Sequence, residues 1–130
     1  MFKDRNSSAI VAVSDIERAR AFYEDILGLE RLPAPMGENS GVLNFRTGET
    51  FLGVYKSDYA GTNRANAVTW DMKGDLMDTV DALKAKGVAF ENYGDMDGMT
   101  YEGGVYSVGA VKLAWFKDPD GNILHLTEGM

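Results

Sequence analysis

The only imidazole in the chain is His125, and the sequence holds no cysteine. Together these facts remove disulfide frameworks, thiolate metal sites and thiol nucleophiles, and any metal site that needs two histidines from one chain. A Ser-His-Asp arrangement could be built only around His125, and no Gly-x-Ser-x-Gly elbow accompanies it. Three roles stay open for this residue: a general base titrating near neutral pH, a hydrogen-bonding group in a cavity wall, and a weak candidate metal ligand. Other chemical signals are weaker. Asp95-x-Asp97-Gly98 invites a calcium loop, but Met99 and Thr100 stand where that loop needs an oxygen ligand and its glycine. Gly103-Gly104 lacks the flanking glycines, the lysine and the following helix of a phosphate cradle.

Composition narrows the partners. The 130 residues fit one domain, and 45% hydrophobic with 25% charged side chains is the balance of a soluble globular protein. Thirteen basic against twenty acidic side chains leave a net charge of −7, which repels phosphate backbones and anionic membrane surfaces. Nucleic acid and membrane are therefore excluded as expected partners, and a neutral or cationic small molecule is favoured. The N-terminus is too polar for a signal peptide and the run Ala9–Val13 too short to span a bilayer. Cytoplasm is the expected compartment, and the sequon Asn6-Ser7-Ser8 is taken as coincidence.

The elements that would position these groups come in a repeated order. Residues 9–13 read as a β-branched strand, followed by a helix with Ile16, Ala19, Phe22, Tyr23, Ile26 and Leu27 on one face. Ser14 and Glu17 form a capping box, and Gly28 takes the C-terminal cap. Strands are predicted over 29–32, 42–46 and 51–55, with a loop containing Pro33 and Pro35 and a turn at Thr47-Gly48. The second half repeats this: a strand over 67–72, a helix over 75–86 with Leu76, Val80 and Leu83 on one face, Gly87 as its cap, and strands over 88–91, 111–116 and 122–126. Asp118-Pro119-Asp120-Gly121 is a strong turn signal. The result is a single α+β domain over 1–130 with two paired βαβββ modules, about 6–57 and 66–128, around a shared cavity.

Strand parity turns Ser8, Ile10 and Ala12 toward that cavity, with Ala67, Thr69 and Asp71 on the fifth strand and His125 on the last. Residues 92–109 form a long glycine-rich loop whose Met99, Tyr101 and Tyr106 suit a ligand mouth. Trp70 and Trp115 are assigned to the core. The candidate ligand-binding set is thus Ser8, Ala67, Thr69, Met99, Tyr101, Tyr106 and His125, with His125 also the catalytic candidate.

Val13-Ser14-Asp15-Ile16 running into Ala21-Phe22-Tyr23 and Leu27-Gly28-Leu29, with Phe116-Lys117-Asp118-Pro119-Asp120-Gly121-Asn122 near the end, resembles the vicinal oxygen chelate superfamily. That group contains glyoxalases, bleomycin-resistance proteins, fosfomycin-resistance enzymes and extradiol dioxygenases, and the resemblance covers essentially the whole chain. It implies a homodimer and, in the enzymes, one divalent metal held by His and Glu from the first and last strands of both modules. Carried onto this sequence, those positions fall on Ser8, near Ala67, on His125, and on Leu52 or Val54. One ligand-type residue in four disfavours a divalent metal, and no cofactor is expected. The leading expectation is a metal-independent binding protein for a small cationic or aromatic molecule. The alternatives are a glyoxalase-like lyase or isomerase, either metal-dependent or using His125 as general base, and an interaction module without a ligand.

Overall fold

The first strand, β1 (Ala9–Val13), alternates as its β-branched residues demand: Val11 and Val13 are buried while Ile10 is exposed. A computed structural model of the chain, describing residues 1–34 and 36–130, divides into two compact units. The first comprises Met1–Arg64 with Pro119–Asn122, the second Ala65–Asp118 with Ile123–Met130. Pro35, placed in a loop by the sequence, lies outside the described residues.

In the first unit, β2 (Glu30–Arg31), β3 (Val42–Thr47) and β4 (Thr50–Lys56) join β1 in a sheet of order β1-β4-β3-β2, with β1 parallel to β4. Leu52 and Val54 pair with Phe45 and Leu43, and all four are buried with Val11 and Val13. The helix supplying the rest of this core starts as α1 (Ile16–Arg20) and continues as a π-helical segment, Ala21–Ile26. Its wider winding lets the adjacent Phe22 and Tyr23 both enter the core, where Tyr23 stacks on Phe45 at 5.9 Å. Gly28 ends the helix with φ +71°, as its cap position requires.

The start of this helix differs from the capping box read in the sequence. Asp15 is the cap, its carboxylate accepting from the Arg18 amide at 3.0 Å. Ser14 has a competing partner: its amide and hydroxyl both donate to Asp120 Oδ1, at 3.1 and 2.6 Å, and its oxygen accepts from Arg18. Arg18 also reaches Asp120 directly, and Asn122 donates to the Ala12 carbonyl at 2.9 Å. The Asp-Pro-Asp-Gly-Asn turn thus serves as structure for the first unit's opening strand and helix.

The second unit carries the sheet β5-β9-β8-β7-β6, formed by β5 (Asn66–Asp71), β6 (Thr100–Glu102), β7 (Val105–Val108), β8 (Val111–Lys117) and β9 (Ile123–Glu128). The helix α2 (Leu76–Ala85) buries Leu76, Val80 and Leu83, the three predicted, beside Ala114, Phe116, Leu124 and Leu126. Glu128 accepts from the Leu76 amide at 3.1 Å, so the last strand anchors the helix start.

Two expectations for this unit are corrected. Residues 88–91 form a single bridge, Phe90 to Phe116, because Asn92 accepts from the Gly94 amide and turns the chain away after one contact. Residues 92–109 are no long loop. Their second half is the β6-β7 hairpin, turned at Gly103 and Gly104 with φ of +61° and +93°, the two positive values a tight hairpin turn asks for.

Candidate functional site

The face of the second sheet opposite α2 collects the groups with chemical potential. Direct cross-strand partners share a face, so Thr69, His125 and Trp115 form one row across β5, β9 and β8. Tyr101, Tyr106, Leu113 and Thr127 form the next. Four of the predicted site residues, Thr69, Tyr101, Tyr106 and His125, therefore do share a surface.

His125 is held on both sides. Its ring lies parallel to the Trp115 indole, with centroids 4.4 Å apart and planes 2° apart. Nδ1 stands 3.4 Å from Thr69 Oγ1. Nε2 is buried from solvent and meets no hydrogen-bond partner. Burial pushes the imidazole pKa below its ordinary 6.5, since removing water penalises the charged form. The ring is accordingly neutral at pH 7, one nitrogen a donor and the other an acceptor.

Trp115 is buried as its sequence assignment to the core implies, at 9% exposed, and its pairing places it on the His125 face of the sheet, where other aromatics surround it. Its Nε1–H donates to Asn66 Oδ1 at 3.1 Å, and Tyr93 and Tyr106 meet it edge-on at 5.5 and 5.8 Å. Asn66, Tyr93 and Trp115 are the site residues that sequence reading missed. The turn at 118–121 carried the signal, because closing β8 on β9 there sets Trp115 opposite His125.

Tyr106 is 1% exposed and does structural work at the rim of this surface. Its hydroxyl accepts from the Tyr93 amide at 2.7 Å and donates to Gly94 O at 3.0 Å, with Asn92 Oδ1 3.3 Å away. Tyr101 packs on it at 4.7 Å and remains 37% exposed. Tyr93 is held above its ordinary pKa, first by burial, then by the Glu91 carboxylate and Tyr106. Met99, half-buried before β6, donates its amide to Met96 O at 3.0 Å. Ala67 sits at an irregularity in β5, where pairing shifts between Asn66 and Val68. Ser8 lies in the first unit. Thr50 spends its one proton on Ser7 O, so the Ser8 hydroxyl donates to Thr50 Oγ1 at 2.6 Å.

The divalent metal implied by the resemblance does not fit these residues. Leu52 and Val54 are buried against α1, and the β4 positions sharing the face of Ile10 are Phe51, Gly53 and Tyr55. None of these, nor Ser8 or Ala67, is a carboxylate or imidazole, so His125 is the one ligand-type residue among the carried-over positions. Among the described residues no three His, Cys, Asp or Glu side chains cluster to hold an ion.

A family model for the Glyoxalase/Bleomycin resistance protein/Dioxygenase superfamily matches residues 7–126. The chain belongs to this superfamily. Among solved structures, the superfamily fold is shared with a glyoxalase family protein from Enterococcus faecalis at 22% identity and a TM-score of 0.70, over 98% of this chain and 100% of that one. Lactoylglutathione lyase from Agrobacterium tumefaciens gives 17% and 0.68, over 99% and 96%. The fosfomycin resistance protein FosX from Mesorhizobium loti gives 14% and 0.67, over 100% and 95%. No curated protein matches the sequence. Among the described residues no helix is long and apolar enough to cross a membrane. The two βαβββ modules expected from the sequence are those of the superfamily fold.

Proposed function

We propose that this superfamily member binds a small planar organic molecule, aromatic or cationic, on the His125 face of the second unit's sheet, and does so without a metal. The observation that carries the reading is the stacked His125–Trp115 pair with a buried, unpartnered Nε2: a flat aromatic surface bearing one unsatisfied polar atom is what an orienting contact for a ring requires. The exposed rings of Tyr93 and Tyr101 add faces and edges suited to rings or to a cation, and the net charge of −7 disfavours anions. The single histidine and the absence of a donor cluster among the described residues support metal independence. The small compounds in the names of the lyase and the fosfomycin resistance protein agree with a small-molecule role. The protein acts as a homodimer, which light scattering at micromolar concentration tests through its mass.

The test is a thermal-shift screen of matched cationic, neutral and anionic aromatic compounds, followed by amide exchange with the best binder. Protection is expected along β5, β8 and β9, with cations ahead of anions and weakened by salt. Protection confined to a surface away from these strands, or tightest binding by anionic phosphates, overturns the reading.

A second reading, a lyase or isomerase with His125 as general base, draws on the neutral ring and its unpartnered Nε2. It requires turnover that disappears in His125→Phe.

A further inference from the structure

The geometry around His125 specifies more than a flat guest, and the step rests on the binding reading above. We propose that the guest is selected by a hydrogen-bond donor, an N–H or O–H at the edge of its ring, which donates to His125 Nε2.

The imidazole cannot readily turn this atom elsewhere. Trp115 covers one face at 4.4 Å, and Trp115 is itself fixed by Asn66 and by the edges of Tyr93 and Tyr106. Thr69 Oγ1 lies beside Nδ1, where a threonine oxygen can accept. With the proton on Nδ1 pointing to Thr69, Nε2 presents a bare lone pair. The opposite tautomer would strand an N–H that is closed to solvent and faces no protein acceptor, and orphaned buried donors are rarer than orphaned acceptors. The site is therefore an acceptor waiting for a donor. A buried polar atom left unsatisfied costs free energy in the empty protein and again with any guest that cannot reach it, so the contact discriminates between rings of equal shape. The class selected is that of indoles, phenols and amino- or imino-heteroaromatics. Ethers, furans and thiophenes of the same outline are rejected.

One histidine gives one set of imidazole nitrogen resonances, so the tautomer can be read without assignment. The ¹⁵N shifts of the ligand-free protein should show the proton on Nδ1. Indole and benzofuran, near-isosteres differing in the N–H, should then bind with indole ahead by about tenfold or more in calorimetry. His125→Phe keeps a ring against Trp115 and removes the acceptor, so the two probes should converge on the benzofuran affinity. Thr69→Val, milder for the fold, should narrow the ratio by freeing the tautomer. A proton found on Nε2, or equal affinities in the unaltered protein, overturns the donor rule and leaves the binding reading standing. Binding of neither ring overturns the donor rule, and the binding reading falls with it only if the wider thermal-shift screen is also empty.

Discussion

The His125 imidazole and the Trp115 indole lie face to face, 4.4 Å apart and within 2° of parallel, on neighbouring antiparallel strands. Stacking of this closeness makes each ring part of the other's environment. It excludes water from the imidazole, which is why burial is the cause of its lowered pKa.

Stability should therefore depend on pH through His125, with a definite sign. The folded pKa lies below the unfolded value near 6.5, so above pH 6.5 both states are neutral and the residue contributes no pH dependence. As pH falls through 6.5 the unfolded chain takes up a proton that the folded chain refuses, and stability drops until the folded pKa is reached. Urea unfolding of the protein and of His125→Phe at pH 7.5 and 5.5 should show a smaller loss in the variant. Equal losses, or a histidine NMR titration centred above 6.5, would contradict this.

Trp115→Phe should keep a ring against His125 but lose the indole hydrogen bond to the Asn66 amide oxygen. The expected cost is about 1 kcal/mol from the lost hydrogen bond plus the reduced burial. Trp115→Ala should cost about 3–5 kcal/mol, as for other buried aromatics. Chemical denaturation distinguishes the two. In the alanine variant, the His125 midpoint should move back toward 6.5 as water enters.

Tyr106→Phe removes the hydroxyl that ties Tyr93 and Gly94 to the sheet. A loss of about 1 kcal/mol is expected for the lost hydrogen bonds, since their partners Tyr93 and Gly94 are exposed and regain water. Amide exchange should accelerate at Tyr93 well before the strands respond.

The helix start offers a fourth test. Asp15→Ala should cost about 1 kcal/mol, the ordinary value of an N-cap. Ser14→Ala should be felt through Asp120 and Arg18, whereas Glu17→Ala should be nearly silent. Were Glu17→Ala to cost as much as Asp15→Ala, a capping box would be operating.

The elements that sequence reveals best are those fixed by short-range rules. Val11 and Val13, Leu124 and Leu126, and the Leu76, Val80 and Leu83 stripe follow from period alone, and each is buried as its period requires. The β6-β7 hairpin obeyed such a rule too: Gly103-Gly104 between alternating Thr100, Tyr101, Glu102 and Val105, Tyr106, Ser107 is a two-residue turn signal, hidden by reading the glycines as a mark of length. Ser14 could not be assigned correctly from its neighbours, because its partner Asp120 stands far along the chain. The burial of Trp115 follows from its apolar neighbours, while its pairing with His125 depends on the register of a hairpin. His125 itself was legible, as a lone imidazole at an inward position. Its orphaned nitrogen was not, since that depends on contacts across strands.

The π-helical stretch Ala21–Ile26 has a consequence for how this chain tolerates changes in length. A π-turn accommodates one more residue than an α-turn between the same two ends. The first helix thus carries a spare residue, which an ordinary α-helix has nowhere to store. A single deletion between Ala21 and Ile26 can be absorbed by rewinding to α-geometry while Gly28 and the strand after it keep their places. The same deletion within β4 would turn Leu52 and Val54 out of the core. Insertions and deletions accumulating in such a sequence over many generations would then be found at the π-segment and at the turns, and scarcely at all in the strands that carry the stacked rings.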